Sequence, residues 1–180
     1  KNYLTIKYDT AGNQLWAKEF NRVLANQTGA NDIPFDIKID NKNYVIVIGT
    51  SIVKYDPNGN YQWSDSISPG YSSALDDQNN LYVVGGRADT NQFRRMQTIK
   101  YTPMGNKLWV LNSGGAQDTI VSPSGIVVDM NNNIYISGNT YVVQQNKDSI
   151  LLFKYSQTIG IISNNNQIPE RFNLYQNYPN

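Results

Sequence analysis

The sequence predicts an all-β fold, a partial β-propeller of about three and a half four-stranded antiparallel blades. Two interleaved motifs recur along the 180 residues, and helical periodicity is almost absent. The composition agrees: Asn occurs 25 times while Glu occurs only at positions 19 and 170, a balance that favours turns and strands over helices.

The first motif is carried by the only tryptophans. Trp16, Trp63 and Trp109 each lie nine residues after Lys7, Lys54 and Lys100, and each lysine precedes a tyrosine: Tyr8, Tyr55 and Tyr101. The segments TIKYDTAGNQLW, IVKYDPNGNYQW and TIKYTPMGNKLW align, with Gly12, Gly59 and Gly105 coinciding ahead of Asn13, Asn60 and Asn106. A decayed copy, LLFKYSQTIGII, keeps Lys154 and Tyr155 but has Ser163 where Trp is expected. The second motif places Asp40, Asp76 and Asp129 nine residues before Gly49, Gly85 and Gly138. The lysines are spaced by 47, 46 and 54 residues, the length of one four-stranded unit.

The elements follow in order. A short apolar strand ends at the Asp, an Asn-rich turn follows, and a strand such as Leu81-Tyr82-Val83-Val84 runs to the Gly. A variable loop leads to the Ile-Val-Lys-Tyr strand, an Asn-Gly-type primed turn, and a fourth strand bearing the Trp. The chain then divides into an orphan hairpin over 1–20, blades over 21–66, 67–111 and 112–163, and a linker with a truncated C-terminal signal over 164–180. Such a sheet leaves an apolar face uncovered until a neighbour stacks on it, and radial stacking favours the propeller over a solenoid or sandwich. Three and a half blades leave a gap and an exposed edge. The chain opens at Lys1 inside a strand pattern, without Met or a signal peptide, and the N-terminus reads as a cut end.

Composition excludes several chemistries. No cysteine means no disulfide, thiolate metal site or Cys nucleophile, and no histidine means no Ser-His-Asp triad and no His-ligated zinc or haem. A net charge of +1 gives no electrostatic case for nucleic acid, and no apolar run is long enough for a membrane span. The reading assigns no catalytic residues, no cofactor and no metal.

The pattern D-x-x-N-N-x-Y-V-x-G, followed by K-Y-D-x-x-G-N-x-x-W, resembles the bacterial seven-bladed β-propeller repeat family over residues 3–163. The Gly-to-Trp spacing is shared with quinoprotein propellers, but no recognisable quinone or calcium site accompanies it. The tail IPERFNLYQNYPN resembles the opening of the C-terminal sorting domain read by the type IX secretion system of Bacteroidetes. Phe172, Leu174, Gln176, Asn177, Tyr178, Pro179 and Asn180 match that family's phrase. The resemblance implies a secreted or cell-surface protein whose tail engages the type IX machinery.

Asp56 to Asn60 and Asp76 to Asn80 alternate carboxylate and amide oxygens as a calcium loop would, yet they lack a bidentate acid and sit where a hairpin must turn. The in-phase tryptophans read as packing between sheets rather than as sugar platforms. Arg94-Arg95, placed in the loop between Gly85 and Lys100, reads as solvated rather than as an anion site. Asn26-Gln27-Thr28 matches a glycosylation sequon. The expected function is a non-enzymatic scaffold presenting loops for adhesion or for binding polysaccharide or protein. The alternatives are an accessory propeller of a larger secreted hydrolase and a quinoprotein-like oxidoreductase.

Overall fold

The structure is a computed structural model that describes residues 2–22, 32–67, 69–88, 94–113 and 119–156. Among the described residues, thirteen strands make four antiparallel sheets in chain order. β1 (Tyr3–Tyr8) and β2 (Gln14–Phe20) form a two-stranded hairpin. β3 (Pro34–Ile39), β4 (Val45–Gly49), β5 (Ser51–Tyr55) and β6 (Tyr61–Ser66) form a four-stranded meander. β7 (Gly70–Leu75), β8 (Leu81–Ala88), β9 (Arg94–Tyr101) and β10 (Lys107–Ser113) repeat that meander. β11 (Thr119–Val128), β12 (Ile134–Val142) and β13 (Lys147–Tyr155) form a three-stranded sheet, with a 3-10 turn at Val143–Gln145 between β12 and β13. A fourth strand for this sheet, expected near Ser163, lies outside the described residues, as do the tail residues Phe172 to Asn180 and the sequon at Asn26. The all-β antiparallel architecture is the one the sequence predicts.

Burial sorts the strands by position. β4 and β5 are buried at every residue, because a central strand flanked on both sides and covered on both faces has no solvent side. The outer strands β2, β6 and β10 alternate instead, turning Trp16, Trp63 and Trp109 toward a neighbouring sheet. Three apolar clusters fill the spaces between successive sheets. Tyr3, Trp16 and Phe20 meet Val45, Val47, Val53 and Tyr55; Ile46, Ile48, Ile52 and Trp63 meet Leu81, Val83, Ile99 and Tyr101; Tyr82, Val84 and Trp109 meet Val121, Ile126, Ile136 and Tyr155. Each fully buried Ile or Val contributes about 1.5 to 3 kcal/mol relative to exposure, so these interfaces, not the hairpins alone, hold the sheets together.

One backbone device recurs in all four sheets. Asp9, Asp40, Asp56, Asp76 and Asp129 each accept, on one carboxylate oxygen, the backbone N–H groups two and four residues on, at 2.8 to 3.1 Å. Thr102 opens a sixth turn of the same backbone pattern, its Oγ1 accepting from Asn106 N. The fourth residue of each turn has positive φ: Asn43, Asn79 and Asn132 near 60°, Gly12, Gly59 and Gly105 near 85°. These are not the primed two-residue turns expected from the Asn-Gly and Asn-Asn pairs. A side-chain oxygen that caps two N–H groups fixes a longer loop with a single left-handed residue, and that outcompetes a turn needing two.

A second correction concerns Arg94-Arg95. Both residues belong to β9 rather than to a loop, because β8 runs past Gly85 and the register continues through Arg87↔Arg95 and Ala88↔Arg94.

Candidate functional site

The recurring residues converge on the seams between sheets. On β5, Lys54 is 4% exposed and its Nζ lies 2.8 Å from Asp40 Oδ2, with Asp40 2% exposed at the end of β3. Its ammonium also sits 4.9 Å from the centre of the Tyr44 ring. The next sheet repeats the arrangement: Lys100 lies 3.7 Å from Asp76 and 4.8 Å from the Tyr82 ring. In the last described sheet Lys154 stands 5.2 Å from the Tyr135 ring, while Asp129 accepts from Asn133 and from the Tyr135 hydroxyl.

Burial alone would raise the Asp40 carboxyl, but the bonds from Lys54 and from the Tyr44 and Lys42 N–H groups outweigh it and hold the group below the ordinary value of 3.8. Burial pushes Lys100 the other way, below 10.5, against the pull of Asp76. Burial, with the hydrogen bond it donates to Asp65, pushes the Tyr101 hydroxyl far up, so that it stays protonated and serves as a donor across the seam, 2.7 Å from Oδ2.

The same lysine reaches into the following sheet. Lys54 Nζ donates to the carbonyl of Pro103 at 3.2 Å, and Trp63 Nε1 donates to that same oxygen at 3.1 Å. One sheet earlier, Lys7 Nζ and Trp16 Nε1 donate to the carbonyl of Pro57 at 3.0 and 3.1 Å. Each carbonyl belongs to the turn between the third and fourth strands of the next sheet, and its two lone pairs are filled from the sheet before. The rings add apolar contact: Trp16 lies 6.0 Å from Tyr55, and Trp63 stacks 5.9 Å from Tyr101.

This seam accounts for glycine at two of the left-handed positions. A Cβ on Gly59 would stand 2.9 Å from the Trp16 ring, and one on Gly105 2.6 Å from the Trp63 ring. The turns led by Asp40, Asp76 and Asp129 place Asn at the corresponding position, with φ near 60°. Gly49, Gly85 and Gly138 answer a different constraint. A Cβ there would collide with the backbone of Ile33 and Pro34, of Pro69 and Gly70, or of Ser122 and Pro123, where the first strand bulges.

Asp56 and Asp76 are occupied by these turns: Oδ1 holds backbone N–H groups, and Oδ2 takes the amide of Asn60 or Asn80. Among the described residues no three acidic side chains gather where they could hold a metal ion. A shallow depression of about 370 Å³ is lined by Asn139, Asp148, Ser149 and Ile150. The ion pairs and hydrogen bonds of the arrangement join strand to strand and sheet to sheet. Sequence reading marked the Asp and Lys positions separately as turn and strand markers and missed that they pair. The separation differs between units, 14 residues from Asp40 to Lys54 and 24 from Asp76 to Lys100, so spacing carried no signal of the pairing.

Residues 109–142 match a family described as a beta-propeller repeat, a stretch running from Trp109 in β10 through the 114–118 connection, β11 and β12. No curated protein matches the chain.

Two outcomes test the seam. Gly105→Ala should cost about 1 to 3 kcal/mol more than Gly12→Ala, because both impose positive-φ strain but only Gly105 faces a ring, nothing lying within 4 Å of a Cβ on Gly12. Urea unfolding of the two variants measures the difference. Asp40→Asn should cost about 3 to 5 kcal/mol by leaving Lys54 buried without its carboxylate. Because Asp40 titrates below its unfolded value, its contribution is complete above about pH 4 and is lost as the pH falls through the folded value. Unfolding followed from pH 7 to 2 should accordingly show a shallower acid dependence in Asp40→Asn than in the parent chain.

Proposed function

We propose that the chain is a non-enzymatic β-propeller scaffold that presents loops from one end of its sheets to polysaccharide or protein. The supporting observation is an asymmetry between the two ends. All six turns led by Asp or Thr lie at one end and share one hydrogen-bond pattern. The connections at the other end differ: Thr50 alone joins β4 to β5, residues 89–93 join β8 to β9, a 3-10 turn joins β12 to β13, and residues 21–33 join β2 to β3. A uniform end carries the cohesion, and a variable end carries the binding, the usual division between scaffold and loops.

The test is retention of the full chain on insoluble chitin, cellulose, xylan and peptidoglycan, before and after residues 23–31 and 89–93 are replaced by Gly-Ser linkers. Retention lost on replacement, with an unchanged melting temperature, is the expected result. No retention, retention indifferent to the loops, or release of soluble sugar contradicts the proposal.

The same reading puts the scaffold outside the cell, exported by the type IX machinery through Phe172, Leu174, Gln176, Asn177, Tyr178, Pro179 and Asn180. Its support is the sequence phrase itself. A periplasmic reporter fused to this tail, extended into a complete sorting domain, should reach the surface of a type IX host. Periplasmic retention would count against export by this route.

A further inference from the structure

In the six recurring turns the residue ahead of the left-handed position differs: Ala11, Lys42, Asn58, Gln78, Met104 and Asn131. Only Asn58 combines a side-chain amide with a following glycine, and Asn58-Gly59 is the only Asn-Gly pair in the chain. A side chain at position 59 meets two obstacles, since φ there is 83° and a Cβ would stand 2.9 Å from the Trp16 ring. The seam therefore fixes, directly after Asn58, the one residue type whose backbone nitrogen no side chain shields. Asn58 itself is exposed, so base and water reach it from solvent.

The same turn holds that nitrogen back. Gly59 N donates to Asp56 O at 2.9 Å, and Asp56 Oδ1 accepts from Asn58 N and Asn60 N, each at 2.8 Å. Asp56 Oδ2 takes the Asn60 amide at 2.8 Å. While these bonds stand, the Gly59 N–H is engaged with a carbonyl. Next to Asn58 the Pro57 carbonyl accepts from Lys7 Nζ and Trp16 Nε1 at 3.0 and 3.1 Å, so this turn also anchors the seam between the first two sheets.

We propose that Asn58 is a site of spontaneous covalent modification, gated by the Asp56-led turn, whose isoaspartate product releases the seam between the first and second sheets. When the turn opens, base removes the Gly59 N–H proton and the nitrogen attacks Asn58 Cγ. The new C–N bond closes a succinimide ring, and the bond from Cγ to the side-chain nitrogen breaks, that nitrogen leaving as ammonia. Water then opens the ring. Attack at Cγ leaves aspartate and the original main chain; attack at the backbone carbonyl leaves isoaspartate, with the main chain running through Cβ and Cγ. In sum, water is consumed and ammonia released, with no oxidation or reduction. The longer main chain cannot keep the Asp56-to-Gly59 bond and still hold the Pro57 carbonyl against Lys7 and Trp16.

The full chain, aged at mildly alkaline pH and mapped by peptide mass spectrometry, tests the site. Asn58 should convert before any other asparagine, and more slowly in the folded chain than in urea. Asp56→Ala, checked for a folding transition, should speed conversion about five- to tenfold by removing the bonds that keep the turn closed. Asp56→Asn keeps an acceptor oxygen there and should convert near the parent rate. The folded and unfolded rates of the parent chain test the gate without any variant. Once separated by chromatography, the isoaspartate form should exchange its Trp16 indole proton rapidly with solvent, while Asn58→Asp protects that proton as the parent does. Conversion at Asn58 no faster than at Asn131, equal rates in the folded and unfolded chain, or an Asp56→Ala rate equal to the parent's overturns the gated site. A Trp16 proton as protected in the isoaspartate form as in the parent overturns the release of the seam.

Discussion

Two carbonyl oxygens, those of Pro57 and Pro103, each accept a lysine ammonium and an indole N–H from the preceding sheet, and the remaining features of the seams follow from that double acceptance. For Lys54 to sit in the seam it must be buried, and a buried ammonium needs a carboxylate, which Asp40 supplies. For Asp40 to stand there the first strand must end on it, and the same carboxylate caps the turn. For Trp63 to reach Pro103 its ring must lie across the turn, and the turn must carry glycine at its left-handed position. In the seam between the second and third sheets, turn, charge pair, ring and glycine are thus tied to one contact.

Much of the architecture was legible because a period near that of a four-stranded unit put Lys, Tyr, Gly and Trp in phase, and because runs such as Val45-Ile46-Val47-Ile48 are strands by composition. The turn type was not. Asn-Gly is a strong local signal, but the preceding Asp competes for the same N–H groups and wins. Arg94-Arg95 misled for a related reason: RRMQTIKY has no alternating apolar face at its start, and only pairing with Arg87 and Ala88 extends the strand through it. The Asp40–Lys54 pair was out of reach of local reasoning, since it joins the first and third strands of a sheet across a buried second one. The glycines were legible as markers, whereas their two causes, a ring at Gly105 and a backbone at Gly85, required coordinates.

The uniform end and the variable end divide the work of the sheets. Hydrogen bonds and ion pairs that recur from unit to unit lie at the turn end and along the seams, where Asn41 also meets Asn79 and Tyr101 meets Asp65. Changes there propagate to two sheets at once. The connections at the other end leave from strand termini that are already fixed, so their length and sequence vary without disturbing the seam.

The exchange of the Trp63 indole proton with solvent, measured by NMR on the full chain, tests the double acceptance most directly. If Trp63 donates to Pro103 across the seam, this proton exchanges only when the two sheets separate, at a rate matching the protected amides of β5 and β9. Exchange as fast as in the unfolded chain, while those amides remain protected, would show that the seam stands without the bond and would contradict the account.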